Sequence, residues 1–342
     1  MPNFDKNMQD IQTKENEIKY HNIDSSNSII HGLLWNTENY NRLQTSERVN
    51  ENLTLLSRHT SGVSISFKTN STNLKLKCQT TSDIYMSHMS GVSQIGFDLY
   101  LKVNNKYLHL AVAKPLASPY NITLFKDFNN EMKEFILYCP LYSGIKSLLL
   151  GVDENSILES SLPINKDKIV FYGTSITQGG CASRPGMNIS AILNRMLNNR
   201  YETYNLGFSG NGHCNIQIAE ALSKIENIKY LIIEVEGNNY EKLYERLEPF
   251  IEILRTNLPK TKIILQSHFP YIYHLIDDDK KIQNEKLREF QQTISKKYKL
   301  IFINGYDILN EYNYEAYVDN IHLSDIGFYY WAKYLIDRKV IS

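Results

Sequence analysis

Several absences narrow what this chain of 342 residues can be. Cysteine is sparse: Cys78, Cys139, Cys181 and Cys214 are the 4 present, and no two stand in a CxxC pair. That spacing argues against a zinc ribbon or a redox couple and fits free thiols in a cytoplasmic protein. No run is long and apolar enough to span a bilayer, and Met1 to Ile23 is polar, without the apolar centre of a secretory signal. Net charge is missing as well, with 37 Lys+Arg against 37 Asp+Glu, so electrostatics favours neither nucleic acid nor an anionic membrane as partner. Glycine (16) and proline (9) are scarce, and there is no internal repeat or low-complexity tract. What remains is an ordinary globular composition, 42% hydrophobic and 22% charged, in a length that suits about two domains.

Residues 1–28 read as a polar segment without a core of its own. From 29 to 158 short alternating runs follow one another between turn residues. Val63-Ser-Ile-Ser-Phe67 and Leu74-Lys-Leu-Lys-Cys78 alternate with a period of two and are expected to form a hairpin across Asn70–Asn73. Phe97–Val103 and Lys106–Val112, joined by Asn104-Asn105, read as a second hairpin. Phe135–Cys139 and Ser147–Val152 continue the series, so this half is expected to be a β-sandwich.

Past Asn155 the pattern changes. Continuous apolar runs at Lys168–Tyr172, Tyr230–Val235, Lys262–Gln266 and Leu300–Asn304 suit strands covered on both faces. Between them, Ile189, Ile192, Leu193, Met196 and Leu197, and likewise Leu243, Leu247, Phe250, Ile251 and Leu254, fall at helical spacing. Residues 159–342 are therefore expected to be a doubly wound, three-layer α/β domain, with Glu159–Lys166 as the linker.

Chemistry concentrates at the ends of those strands. Lys168–Tyr172 turns at Gly173 into Thr174-Ser175 ahead of a helical pattern, which is how α/β enzymes place a nucleophile near free backbone N–H groups. A serine in that position equally suits a helix N-cap. Val318-Asp-Asn-Ile-His322 sets Asp319 three residues before His322, close enough for the carboxylate to accept from Nδ1–H and leave Nε2 to take the proton of Ser175. Asn205-Leu-Gly-Phe-Ser-Gly-Asn-Gly212 offers a tight turn whose Gly210 N–H can face an oxyanion. Leu231-Ile-Ile-Glu-Val-Glu-Gly-Asn-Asn239 ends in two amides, either of which can donate to an oxyanion or cap the helix that follows, Asn239 being the better cap. Glu236 reads as a solvated strand-end charge, and His268 as a structural histidine.

Gly173-Thr-Ser175, Gly210, Asn238 and Asp319-x-x-His322 occur in the order of the four blocks of the SGNH/GDSL hydrolases, which this chain resembles. The run Tyr172–Gly186 is similar to one branch, which carries an N-terminal β-domain named for a Gly-x-Asp-Leu-Tyr motif, here Gly96-Phe-Asp-Leu-Tyr100. Tyr40-Asn-Arg-Leu43, Ser61-Gly-Val63 and Pro140–Gly144 resemble that branch too. Block III departs from it, with Glu-Val-Glu-Gly-Asn-Asn where the branch has something closer to Asp-Cys-x-Pro-Asn. The resemblance implies a flavodoxin-like SGNH domain after a jelly-roll-like sandwich, Ser175 as nucleophile, and an oxyanion hole of Ser175 N–H, Gly210 N–H and Asn238. It implies no metal and no cofactor. Thr174, His213 and Asn239 are candidates to line the substrate pocket, and Cys181 to pack. The expected activity is hydrolysis of small acyl esters, acetyl foremost, on a carbohydrate or small metabolite. Acyl transfer to an alcohol or amine is the alternative, and a non-catalytic carbohydrate-binding role a third.

Overall fold

The computed structural model describes residues 17–34, 40–43, 49–161, 165, 167–309 and 314–342. Its first half comprises β1 (Ile18–Asn22), β2 (Ile29–His31), α1 (Glu51–Ser57), β3 (Ser64–Thr69), β4 (Leu74–Thr80), α2 (Gly91–Ile95), β5 (Phe97–Val103), β6 (Lys106–Ala113), β7 (Tyr120–Phe125), β8 (Lys133–Tyr138), β9 (Ile145–Asp153) and β10 (Leu158–Ser160). Two antiparallel sheets result. One has the order β1-β9-β4-β7; the other runs β10-β3-β8-β5-β6 with β2 beside β3. Alternation along the strands sends Val63, Ile65 and Phe67 from one sheet against Leu74, Leu76 and Cys78 from the other. Phe67, Phe135 and Phe125 stack through this core at centroid separations of 5.4 and 5.5 Å.

Three expectations are corrected here. β3 and β4 are not a hairpin, since β3 pairs with β2, β8 and β10 while β4 pairs with β7 and β9. Each presents one apolar face to the same core, which is what their alternation recorded, but alternation is silent about the hydrogen-bonded neighbour. The polar segment 1–28 is not wholly outside the domain. Ile18 to Asn22 forms the edge strand on β9, with Ile18 and Tyr20 resting on Gly151, where a side chain would collide with both. The proposed linker begins inside β10, and its residues 162–164 and 166, like residues 1–16, lie outside the described residues. The second hairpin is present as β5–β6, its Asn104 and Asn105 at φ 49° and 61°, the left-handed pair a tight two-residue turn requires.

The second half adds β11 (Lys168–Gly173), α3 (Ser175–Gln178), α4 (Ile189–Met196), β12 (Glu202–Gly207), α5 (Ile216–Ser223), β13 (Ile228–Glu234), α6 (Glu236–Asn239), α7 (Leu243–Asn257), β14 (Lys262–Gln266), α8 (Asp278–Lys297), β15 (Ile301–Ile303) and α9 (Asp325–Asp337). The five strands are all parallel, in the order β12-β11-β13-β14-β15. Numbered by appearance that is 2-1-3-4-5, the flavodoxin-like order, whose direction reverses beside β11. Alternate residues of β11 enter two cores. Val170 and Tyr172 meet α5, α7 and α8 through Ile218, Leu247 and Leu287. Ile169 and Phe171 meet α4 and α9 through Ile189, Leu193, Phe328 and Trp331. Both faces are thus closed, which is why the strands read as unbroken apolar runs. Among the described residues no helix is long and apolar enough to cross a membrane.

The two halves are joined by buried polar side chains. Asp98, in the Gly96–Tyr100 motif on β5, accepts from Arg184 Nη1 (2.5 Å) and the Gly186 N–H (2.9 Å), so β5 braces the loop that follows α3. Arg42 is buried and donates to the carbonyls of Leu56 (2.8 Å), Asn205 (2.7 Å) and Gly207 (3.1 Å). Burial lowers its pKa to about 9. Gln178 donates to the Leu141 carbonyl (3.0 Å) and accepts from the Ser209 N–H (2.9 Å), fixing a β-domain loop and the turn after β12 at once.

Candidate active site

The site lies at the carboxyl ends of β11, β12 and β13, beside the reversal of strand order. Gly173 closes β11 so tightly that a Cβ would collide with Thr177 Oγ1 and the Glu234 carbonyl. The chain then turns into α3. Thr174, not Ser175, is the N-cap, its Oγ1 accepting from Ile176 N–H at 3.2 Å. Ser175 therefore stands at the first helical position with its hydroxyl uncommitted to capping, although it is 92% buried (8% exposed).

That hydroxyl lies 2.9 Å from His322 Nε2. Nδ1 of the same ring is 2.9 Å from Asp319 Oδ2, while Asp319 Oδ1 accepts from the N–H groups of Ile321 (2.8 Å) and His322 (2.6 Å). Burial alone would raise the Asp319 pKa, but the hydrogen bonds from His322 and Ile321 outweigh it and hold the carboxyl below the ordinary range. An ionised Asp319 fixes the Nδ1–H tautomer and leaves Nε2 able to accept the serine proton. Residues 175, 319 and 322 are thereby brought into one hydrogen-bonded chain.

Three donors of the motif blocks have no acceptor among the described residues: the Ser175 N–H, the Gly210 N–H and Asn238 Nδ2. Gly210 sits at φ +66° with open space where a Cβ would be, so its turn presents backbone instead of a side chain. The two amides of block III separate cleanly. Asn238 Oδ1 accepts from the Gly212 N–H at 3.0 Å, which orients the group and leaves both Nδ2 hydrogens free. Asn239 is buried and commits Nδ2 to the carbonyls of Gly212 and Val235, each at 2.7 Å. It is a structural clamp between blocks II and III. His213 is half-buried, and its Nδ1 meets the Asn238 carbonyl at 3.0 Å, so it steadies the same pair of turns. Thr174 is buried and donates to Glu234 Oε2 (2.7 Å), which places it beneath the serine turn. A polar and aromatic cleft of about 630 Å³ opens alongside, lined by Asn238, Asn239, Tyr240, Tyr273, Asn320 and Ile321 among others.

Several neighbours carried no usable signal in the sequence. Glu234, 1% exposed, accepts from Thr174 Oγ1 and Thr177 Oγ1 (3.0 Å), and burial raises its pKa to about 7. Two carboxylates closing an apolar strand, Glu234 and Glu236, were the available hint. The expectation for Glu236 is corrected: it is not a solvated charge but 1% exposed, covered by Gln291 of α8 (2.6 Å) and the His268 N–H (3.0 Å). Burial raises Glu236 to about 7 and lowers His268 to about 4, so between those limits the two face each other as neutral groups. The β-domain reaches the site directly. Tyr142 O–H donates to the Ser175 carbonyl at 3.4 Å, and the exposed His88 ring lies 5.8 Å from that of His322. Cys181 packs behind them with its S–H directed to the His88 carbonyl at 3.6 Å. Burial, and secondarily the Asp319 charge, pushes that thiol up to about 12, far from thiolate reactivity.

A parallel flavodoxin-like sheet bearing this constellation at its carboxyl edge defines a class, the three-layer α/β ester hydrolases. The chain belongs to the GDSL-like lipase/acylhydrolase family, whose profile matches residues 166–341, and residues 18–158 match the N-terminal GxDLY domain of SGNH-type esterases. A solved protein from Bacteroides ovatus ATCC 8483 described as a GDSL-like lipase is 29% identical, with 94% of this chain and 96% of that one covered at a TM-score of 0.85. A salicylyl-acyltransferase from a tetracycline biosynthetic pathway is 16% identical over 94% and 96% of the two chains, TM-score 0.73. An acetyl xylan esterase from the rumen bacterium Butyrivibrio proteoclasticus is 13% identical over 94% and 98%, TM-score 0.56. At those lower identities the likeness is one of fold. No curated protein matches.

Proposed function

We propose that the protein is a serine esterase that removes small acyl groups, acetyl foremost, from a carbohydrate or another small polyol. Ser175 Oγ attacks the ester carbonyl as His322 Nε2 takes its proton. Asp319 holds the imidazole and stabilises its cation. The oxyanion is received by Ser175 N–H, Gly210 N–H and Asn238 Nδ2. His322 returns the proton to the departing alcohol, and water, activated by the same nitrogen, releases the acid from the acyl-enzyme. The observation that carries this reading is the pair of 2.9 Å contacts running Ser175–His322–Asp319. The cleft's tyrosines and amides suit a hydroxyl-rich alcohol portion, as sugars stack on aromatic faces and hydrogen-bond to amides.

The test is turnover of short aryl esters and acetylated sugars. Activity falling with acyl length is expected, and Ser175→Ala should lose roughly a million-fold in kcat. Wild-type rates in Ser175→Ala would defeat the proposal. Acyl transfer is a second reading, supported by the acyltransferase that shares both domains over 94% of this chain. Adding acceptor alcohols to the same assay distinguishes the two: ester exchange outrunning acid release would favour transfer.

A further inference from the structure

One cluster at the site joins the Asp319–His322 pair to two side chains, His88 and Cys181, that have no place in ester hydrolysis. His88, Cys181, Asp319 and His322 each offer a ligand atom, and these atoms all lie within 4.8 Å of one another. They come from three separate segments: the loop between β4 and α2, the loop after α3, and the loop before α9. Two imidazoles, a thiol and a carboxylate make a set of mixed softness that suits Zn²⁺ and poorly suits Mg²⁺ or Ca²⁺, which favour all-oxygen shells.

A tetrahedral zinc shell with bonds of about 2.0–2.3 Å has edges of about 3.3–3.8 Å, so the widest pairs, at up to 4.8 Å, need to close by roughly 1 Å and the Asp319–His322 pair, at 2.9 Å, to open slightly. The means to contract is His88. It is exposed, neither ring nitrogen has a hydrogen-bond partner among the described residues, and its ring already faces that of His322 at 5.8 Å and 33°. Cys181 is held close by its backbone at φ +70°, a left-handed conformation unusual for a residue with a side chain.

We propose that His88, Cys181, Asp319 and His322 form a zinc site that reversibly inhibits the enzyme. Zinc enters between Asp319 Oδ2 and His322 Nδ1, now 2.9 Å apart, and displaces the Nδ1 proton and the Cys181 thiol proton to solvent. No covalent bond to carbon changes. With a dication on Nδ1, Nε2 loses the basicity it needs to accept the proton of Ser175. The β-domain supplies His88, so both halves of the chain contribute to the switch.

The inhibitory half of this inference rests on the esterase reading; the binding half does not. The experiment is calorimetric titration of the metal-stripped full chain with zinc chloride, on wild type, Ser175→Ala, His88→Ala and Cys181→Ser, paired with aryl-ester turnover. One zinc per chain is expected, with equal affinity in wild type and Ser175→Ala and at least about 10-fold weaker affinity in the other two. Zinc should suppress hydrolysis by wild type, a chelator should restore it, and His88→Ala and Cys181→Ser should turn over normally without zinc while resisting it. Equal affinity in all four proteins, or no binding by about 1 mM zinc, a weak affinity by any measure, overturns the site. Binding in the expected pattern without loss of turnover overturns the inhibition. A wild type that hydrolyses no ester refutes the esterase reading and leaves the titration to decide the site.

Discussion

Asp319 and Glu234 flank the same serine turn, one in the loop before α9 and the other at the end of β13, and their surroundings drive them in opposite directions. Asp319 is partly exposed and accepts two backbone N–H groups and an imidazole N–H, so its carboxyl is held below the ordinary range. Glu234 is sealed beneath the turn with only hydroxyls and one long N–H contact (3.4 Å) as donors, and burial raises it to about 7. Oriented N–H donors thus favour the charged form, while a drier pocket with weaker donors keeps its carboxyl neutral below about pH 7. Proximity to the serine does not decide the charge state of an acid; the donors around it do.

The comparison is sharpest for Asp319→Asn. On this account kcat falls by about 10,000-fold while the melting temperature stays close to wild type, because the amide favours the wrong imidazole tautomer without emptying the core. A drop of less than tenfold, measured on a short aryl ester, would place Asp319 outside the proton chain. Next come the neighbouring amides. Asn238→Ala should lose about 100- to 1,000-fold in kcat and, because it unpairs the single Gly212 N–H, less stability than its neighbour. Asn239→Ala should keep turnover within several-fold but lose about 1–3 kcal/mol of stability, since it leaves the Gly212 carbonyl unpaired and the Val235 carbonyl with only the longer Asn238 N–H contact. Kinetics and denaturant titration of both variants read the contrast, and reversed outcomes would exchange their roles.

The smallest effect concerns Glu234 itself. Its carboxyl holds a proton up to about 7 in the folded protein, against 4.5 for an ordinary glutamate, so between those values the folded state binds more protons than the unfolded chain. Stability attributable to the protonated form is complete below about 4.5 and is lost as the pH rises through about 7. Glu234→Gln retains an acceptor for the Thr174 and Thr177 hydroxyls and removes the titration. Denaturation measured at pH 5 and pH 8 should show wild type losing on the order of 2–3 kcal/mol more than the variant. Identical pH dependence in the two proteins would mean that Glu234 is ionised in the fold throughout.

Legibility in the sequence followed locality. Lys262–Gln266 is a strand with the bounds its apolar run indicates, and Leu243, Leu247, Phe250, Ile251 and Leu254 are all buried on α7, because a covered parallel sheet writes its faces into adjacent residues. The Asp-x-x-His spacing of 319–322 is equally local, and those two residues meet in one loop. The partner of β3 was not legible, since alternation fixes which face is inward but not which strand lies beside it. Nor was the burial of Glu234 and Glu236, because the cover over Glu236 comes from Gln291 on α8 and from His268 after β14. His88 reached the site from the β-domain with no motif around it to announce the contact. Asn238 and Asn239 are adjacent and chemically identical, and only the positions of the Gly212 and Val235 backbone separate them.

The central claim is that Ser175 is activated by His322. Treating the protein with a fluorophosphonate, whose phosphorus is attacked by an activated serine with loss of fluoride, and locating the adduct by peptide mass spectrometry tests it most directly. The account predicts one adduct, on Ser175, formed at full rate in wild type and essentially abolished in His322→Ala and Ser175→Ala. An adduct on another residue, or labelling of Ser175 that persists undiminished without the imidazole, would contradict it.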